Sequence, residues 1–115
     1  MTVYIAHESR NSLDLTPAED FGDIKFVFNR DFSPGFNPKE AAVIAESVLQ
    51  DFDFENDYFL IAGGDPIAGM IASMVLVDYA DPDNDQILKT LRYTKDFDAE
   101  GNRTIPRYVE IEVAI

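Results

Sequence analysis

The sequence predicts a small α/β domain built on a mostly parallel sheet. Three observations carry that reading. Short β-forming runs alternate with helical patterns along the chain, which is how strands of a parallel sheet are connected. Tyr58 to Ala62 is continuously apolar, as a strand covered on both faces would be. That run turns at Gly63-Gly64 into a segment, Ile67 to Val77, that has no charge and only Ser73 as a polar residue.

Taken in order, Thr2 to Ala6 is a first strand, with Val3, Tyr4 and Ile5 as β formers. The stretch from His7 to Gly22 is mostly polar, and within it Thr16-Pro17-Ala18-Glu19 has the form of a short helix start. Ile24 to Phe28 is a second strand, and Pro34-Gly35 marks a turn in the loop that follows. Asn37-Pro38-Lys39-Glu40 opens the first long helix, with Asn as cap and Pro at the first position. Ala41, Ile44, Ala45, Val48, Leu49 and Phe52 then form one apolar stripe at three- and four-residue steps.

Asp51 to Asp57 leads into the central strand. Gly63 and Gly64 permit a sharp turn. Asp65 is a good N-cap, and Pro66 suits the first helical position. A helix apolar on all sides is expected to be buried, so Ile71, Met74 and Val75 should face the sheet. Ile87 to Thr94 and Tyr108 to Ile115 are the last strands, joined through a hairpin containing Gly101-Asn102. In the final strand Val109, Ile111, Val113 and Ile115 alternate with Glu110 and Glu112. That alternation predicts an apolar side on the core and an acidic side in water, with Lys89 and Arg92 across from the two glutamates.

Strands and helices in this order imply one three-layer sheet with helices on both faces. Right-handed crossovers favour the Rossmann- or flavodoxin-like order 2-1-3-4-5, with the last strand antiparallel at the edge. The 115 residues are expected to form a single domain, residues 1–115, large enough for a real core.

Composition narrows the function classes. Nine basic against 22 acidic residues give a net charge of −13. Such a surface repels nucleic acid, whose binding rests on neutralising phosphates, and it repels anionic membranes in the same way. Basic protein partners are favoured by steering. The balance is uneven: Lys89, Arg92, Lys95, Arg103 and Arg107 outnumber Asp96, Asp98 and Glu100, so the C-terminal hairpin is locally basic. There is no cysteine, hence neither a disulfide framework nor a thiolate zinc site, and an intracellular setting is the simpler reading. The segment MTVYIAHESR lacks the pattern of a secretory signal.

Several segments together resemble one group of proteins. They are the first strand, TPAEDFG entering a strand, DYFLIAGGDPIAGMIA as strand–turn–helix, and a closing RYVEIEV. The chain is similar in these to small α/β proteins encoded by tailed bacteriophages, those of cyanobacteria included. The resemblance implies a phage setting and an accessory role. It brings no activity with it and assigns no site residue.

The residues that carry chemistry elsewhere do not assemble into a known motif. His7 is the only histidine, and Ser9 and Ser12 lie on a polar loop without a nucleophile elbow. Asp81, Asp83 and Asp85 begin like a calcium loop, but Gln86 and Arg92 stand where Gly and Glu are needed. Asp96, Asp98 and Glu100 have Gly101 in place, yet Arg107 occupies the final ligand position. The GGDP turn is neither a dinucleotide fingerprint nor a P-loop, and Asp65 competes with phosphate for the helix N-terminus.

The reading that follows is an acidic phage accessory protein acting in the host cytoplasm, with a binding role preferred over an enzyme and the enzyme reading left open. It would meet a host or phage protein through Asp51, Asp53, Glu55, Asp57, Asp81, Asp83 and Asp85, on two loops at the same end of the sheet. A nucleic-acid-binding protein is one such partner, with the acidic face as a partial DNA mimic. No cofactor, metal, membrane or nucleic acid is expected. The alternative is a small-molecule or nucleotide site at the opposite end, gathering His7, Glu8, Ser9, Gly63, Gly64 and Asp65 with Arg30 and Lys39 nearby. A third reading is a self-assembling homo-oligomer joined through spare apolar surface on the second helix.

Overall fold

The computed structural model describes residues 1–8, 16–62, 65–80, 83, 86–94, 101 and 107–115. Strand β1 spans Thr2–His7 and is followed by a 3-10 helix, Thr16–Phe21. Then come β2 (Asp23–Phe28), α1 (Pro38–Leu49), β3 (Tyr58–Leu60), α2 (Pro66–Tyr79), β4 (Ile87–Thr94) and β5 (Arg107–Ala114).

β1 is the centre. It pairs in parallel with β2, Ile5 opposite Phe26, and in parallel with β3, Ile5 opposite Leu60, giving the order β2-β1-β3. Both of its faces are covered. Tyr4 and Ala6 pack with Phe59, Ala41, Ala45 and Leu49 of α1, and Ala68, Ile71, Ala72, Val75 and Leu76 of α2. Val3 and Ile5 face the other way, packing with Tyr58, Leu60, Ala18 of the 3-10 helix, and Leu91 and Tyr108 of the hairpin. This double burial explains the unbroken apolar runs of β1 and β3.

The fold is mixed α/β with a parallel sheet, as the sequence predicts, but two features differ. The five strands do not form one hydrogen-bonded sheet: β4 and β5 make a separate antiparallel pair running from Ile87 opposite Ala114 to Thr94 opposite Arg107. β3 is only three residues long, so it offers β4 little backbone to pair with, although β4 lies beside it. Second, the α-helices do not divide between the faces. α1 and α2 share one, and the 3-10 helix and hairpin cover the other.

Local chemistry accounts for the helix ends. Asp65 caps α2, its Oδ1 accepting from Ile67 N at 3.0 Å, with Pro66 at the first position. Asn37 precedes α1 without a side-chain cap; its Nδ2 donates instead to Ser33 O at 3.1 Å. Gly22, at φ 153°, lets the chain pass Met1, where an added Cβ would sit 2.6 Å from the Met1 carbonyl oxygen. Gly69 is less constrained: a Cβ there would lie 2.7 Å from Cγ2 of Ile61, an exposed side chain that can shift.

α2 departs from the expectation of burial all round. Ile71 and Val75 are buried, but Met74 is 63% exposed, and Met70 and Val77 are also more than half exposed. Ile71→Ala is therefore expected to cost about 2–5 kcal/mol of stability, whereas Met74→Ala, compared in the dilute monomer, should stay within about 0.5 kcal/mol of the parent. Urea melts of the two variants check this, and equal midpoints would contradict the placement of the helix.

Candidate functional site

The acidic loop before β3 is built on alternation. Phe52 is buried and Phe54 half-buried, with ring centroids 5.0 Å apart, and Phe52 also meets Tyr4 at 5.4 Å. These rings anchor the loop, while Asp53 between them and Asp51 and Glu55 on either side are exposed. Asp53 shapes the turn itself. Its Oδ1 accepts from Glu55 N at 2.9 Å and its Oδ2 from Asn56 Nδ2 at 2.7 Å. The Asn56 hydrogen bond, then the backbone bond from Glu55, hold the Asp53 carboxyl below its ordinary pKa.

Asp57 does not belong to this surface. It is only 7% exposed, and both of its oxygens are engaged. Oδ1 accepts from Thr2 N at 2.8 Å and Oδ2 from Asp53 N at 2.9 Å. It ties the start of β1 to the loop just before the Val3–Tyr58 pairing. A buried carboxylate with two backbone donors serves the fold, so its place among the partner-facing residues is corrected.

Asp83 is exposed, while Asp81 and Asp85 lie outside the described residues. Three residues on, Gln86 and Ile87 line a shallow cleft of about 300 Å³ with Phe54, Glu55, Lys89 and Glu112. The loop and the hairpin therefore meet. Lys89 Nζ donates to the Glu55 carbonyl and lies 5.9 Å above the Tyr58 ring. Lys89 does stand opposite Glu112, but Glu110 is opposite Leu91, and Arg92 is opposite Val109. Burial, with Glu110 as hydrogen-bond partner, raises the Tyr58 hydroxyl pKa.

At the other end of the sheet, the chain's own loop after β2 is fastened to the end of β1 and the start of α2. His7 Nε2 donates to Phe32 O at 3.0 Å, and Phe32 stacks on Phe28 at 5.7 Å. A carbonyl only accepts, so the proton sits on Nε2; Nδ1 is buried and has no partner among the described residues. Asp65 Oδ2 accepts from Gly35 N at 3.0 Å, which fastens the same loop to the start of α2. Glu8 and Arg30 form an ion pair at 2.8 Å beside it. Lys39 is exposed on the first turn of α1. Ser9, Gly63 and Gly64 lie outside the described residues. His7 and Asp65 thus act as anchors for the loop.

Sequence reasoning missed the inward role of Asp57 and the bridging role of Lys89. In DFDFEND no local pattern separates the carboxylate that turns inward from those that turn outward. No helix among the described residues is long and apolar enough to cross a membrane. A family model described as Phage Pam3 gp32-like protein matches residues 1–114. No curated protein and no solved structure matches the chain.

Asp57→Ala removes the acceptor of two backbone N–H groups and is expected to cost about 1.5–3 kcal/mol, read as a lower urea midpoint; an unchanged midpoint would place Asp57 outside the fold's support. Asp53 supplies a pH signature. Its folded pKa lies below the unfolded value, so its contribution is present above the unfolded pKa, about 4, and fades as pH falls through the folded one. The parent should lose more stability than Asp53→Asn between neutral and acid pH. Parallel melts at several pH values measure the difference, and identical losses would count against the turn's hydrogen bonds.

Proposed function

The chain belongs to the Phage Pam3 gp32-like protein family, and from that premise we propose that it is an accessory phage protein that binds a basic protein surface in the host cytoplasm. The contact is made by Asp51, Asp53, Glu55 and Asp83. What supports this reading is the outward row of carboxylates held by the inward-packed Phe52 and Phe54. A loop whose shape is set before binding loses little conformational freedom on association. No salt bridge engages Asp51, Asp53 or Glu55 among the described residues, so their charge is available to a cation. Asp83 stands three residues before Gln86, within about 10 Å of the same cleft by chain reach. Asp81 and Asp85 extend that tract in sequence. The partner is a protein and not nucleic acid, because phosphates meet a chain of charge −13. A protein that itself binds nucleic acid has the required basic face, and this acidic row meets it as phosphates would.

The test leaves Asp53 and Asp57 in place, since both hold the loop. Parent and the combined variant Asp51→Asn, Glu55→Gln, Asp83→Asn are used to capture partners from infected host cells. Partners retained by the parent at low salt should be released by added salt and lost from the variant. With a captured partner in hand, the variant should associate more slowly and with a flatter salt dependence. An equal on-rate and salt slope would show that these carboxylates are only a solvated face.

A further inference from the structure

The final strand is turned over relative to its sequence pattern. Glu110 stands directly opposite Leu91, so it shares the hairpin face of the buried Leu91 and Tyr108. Glu112 follows on that face, beside the acidic loop. Val109, Ile111, Val113 and Ile115 therefore point the other way, where they remain between 38% and 47% exposed. This outward row lies on the helix side of the molecule. Leu88, opposite Val113 on the same face, packs against the cluster that contains Ile71, Val75 and Leu76 of α2. Among the described residues, the only α-helices are α1 and α2, and both are spent on the parallel sheet.

The helix side carries a second uncovered row. Met70, Met74 and Val77 recur at helical spacing on the outer side of α2. With Ser73 and Asp78 they line a shallow depression of about 410 Å³. The molecule thus has a sheet face that lacks a helix and a helix face that lacks a sheet.

The charges at the two rows are of opposite sign. Arg92 shares the face of Val109, is exposed, and makes no ion pair among the described residues. The α2 row has no cation and carries Asp78 at its end. An interface with an apolar centre and charged ends is the usual anatomy of a specific contact. One chain supplying both complementary halves is what a two-fold dimer needs.

We infer that the chain forms a two-fold homodimer in which the Met70–Met74–Val77 row of one copy covers the Val109–Ile115 row of the other, with Asp78 of each meeting Arg92 of its mate. This contact is separate from the acidic loop and does not depend on the partner proposed above. Methionine suits the role, since its flexible thioether fills an irregular β surface.

Sedimentation equilibrium of the full chain tests this. The parent should run at twice the 12.9 kDa of the chain. Met74→Glu and Val113→Glu, each at a surface position and checked by an unchanged urea melt at a concentration too low for dimer, should each weaken the dimer by at least about tenfold. Asp78→Arg and Arg92→Glu should each weaken it as well, and the two together should restore it. A parent that stays monomeric at the highest concentration loaded overturns the proposal and leaves the rows to a different partner. A dimer indifferent to Val113→Glu, or a charge swap that does not restore association, overturns the seating of helix on strand. An oligomer that grows without limit overturns the two-fold closure.

Discussion

Right-handed connection between parallel strands is the constraint on which this architecture depends. In the order β2-β1-β3, the chain steps from β1 to β2 in one direction and returns past β1 to β3 in the other. A connection of fixed hand must then pass over opposite faces on the two steps. The 3-10 helix lies on one face and α1 on the other. α2 packs beside α1 on the second of these faces. The 3-10 helix and α1 on opposite faces is thus a consequence of strand order. The hairpin then supplies Leu91 and Tyr108 to the face where only a 3-10 helix stands.

The same economy governs the polar groups at the ends of the sheet. At the carboxyl ends of β1 and β3, where open α/β sheets commonly hold ligands, His7 and Asp65 hold Phe32 and Gly35. At the start of α2, Asp65 already takes the N–H of Ile67, one of the groups that a phosphate would use. At the amino ends, Asp57 is drawn inward by Thr2 and Asp53, while the side chains of Asp51, Asp53 and Glu55 stay in water. Among the described residues, Asp53, Asp57 and Asp65 therefore shape loops, while Asp51 and Glu55 lie exposed to water.

Much of the fold was legible in the residues. Continuous apolar runs marked β1 and β3, Asp65-Pro66 marked the start of α2, and the stripe of Ala41, Ala45 and Leu49 marked the buried side of α1. The hairpin was legible as a hairpin but not in its orientation. Period two states which residues of β5 share a face; it does not state which face the rest of the molecule covers. Burial of Leu91 and Tyr108 decided that, and both lie outside the Val–Glu alternation. α2 posed the same difficulty in helical form. With nearly every position apolar, Ile71 and Met74 are indistinguishable in sequence, and only the neighbouring strands separate them. Asp57 was legible as an acid but not as a buried one, because its donors, Thr2 and Asp53, include one 55 residues away.

Exposed apolar rows on a chain of charge −13 raise the question of which force governs association. Two copies repel as a whole, but at physiological salt the screening length is about 8 Å. Charges farther than that from a contact hardly act across it. The α2 row contributes Asp78 and the hairpin row Arg92, so a helix-on-strand contact would bring charges of opposite sign together. The exposed carboxylates of the acidic loop share the hairpin's opposite side with Glu112, away from both rows. The fold thus turns the acidic side of β5 to the loop and its apolar side to the helices. Inversion of β5 is the step that does so, because it sends Glu110 and Glu112 toward the acidic loop and the valines and isoleucines toward the helices.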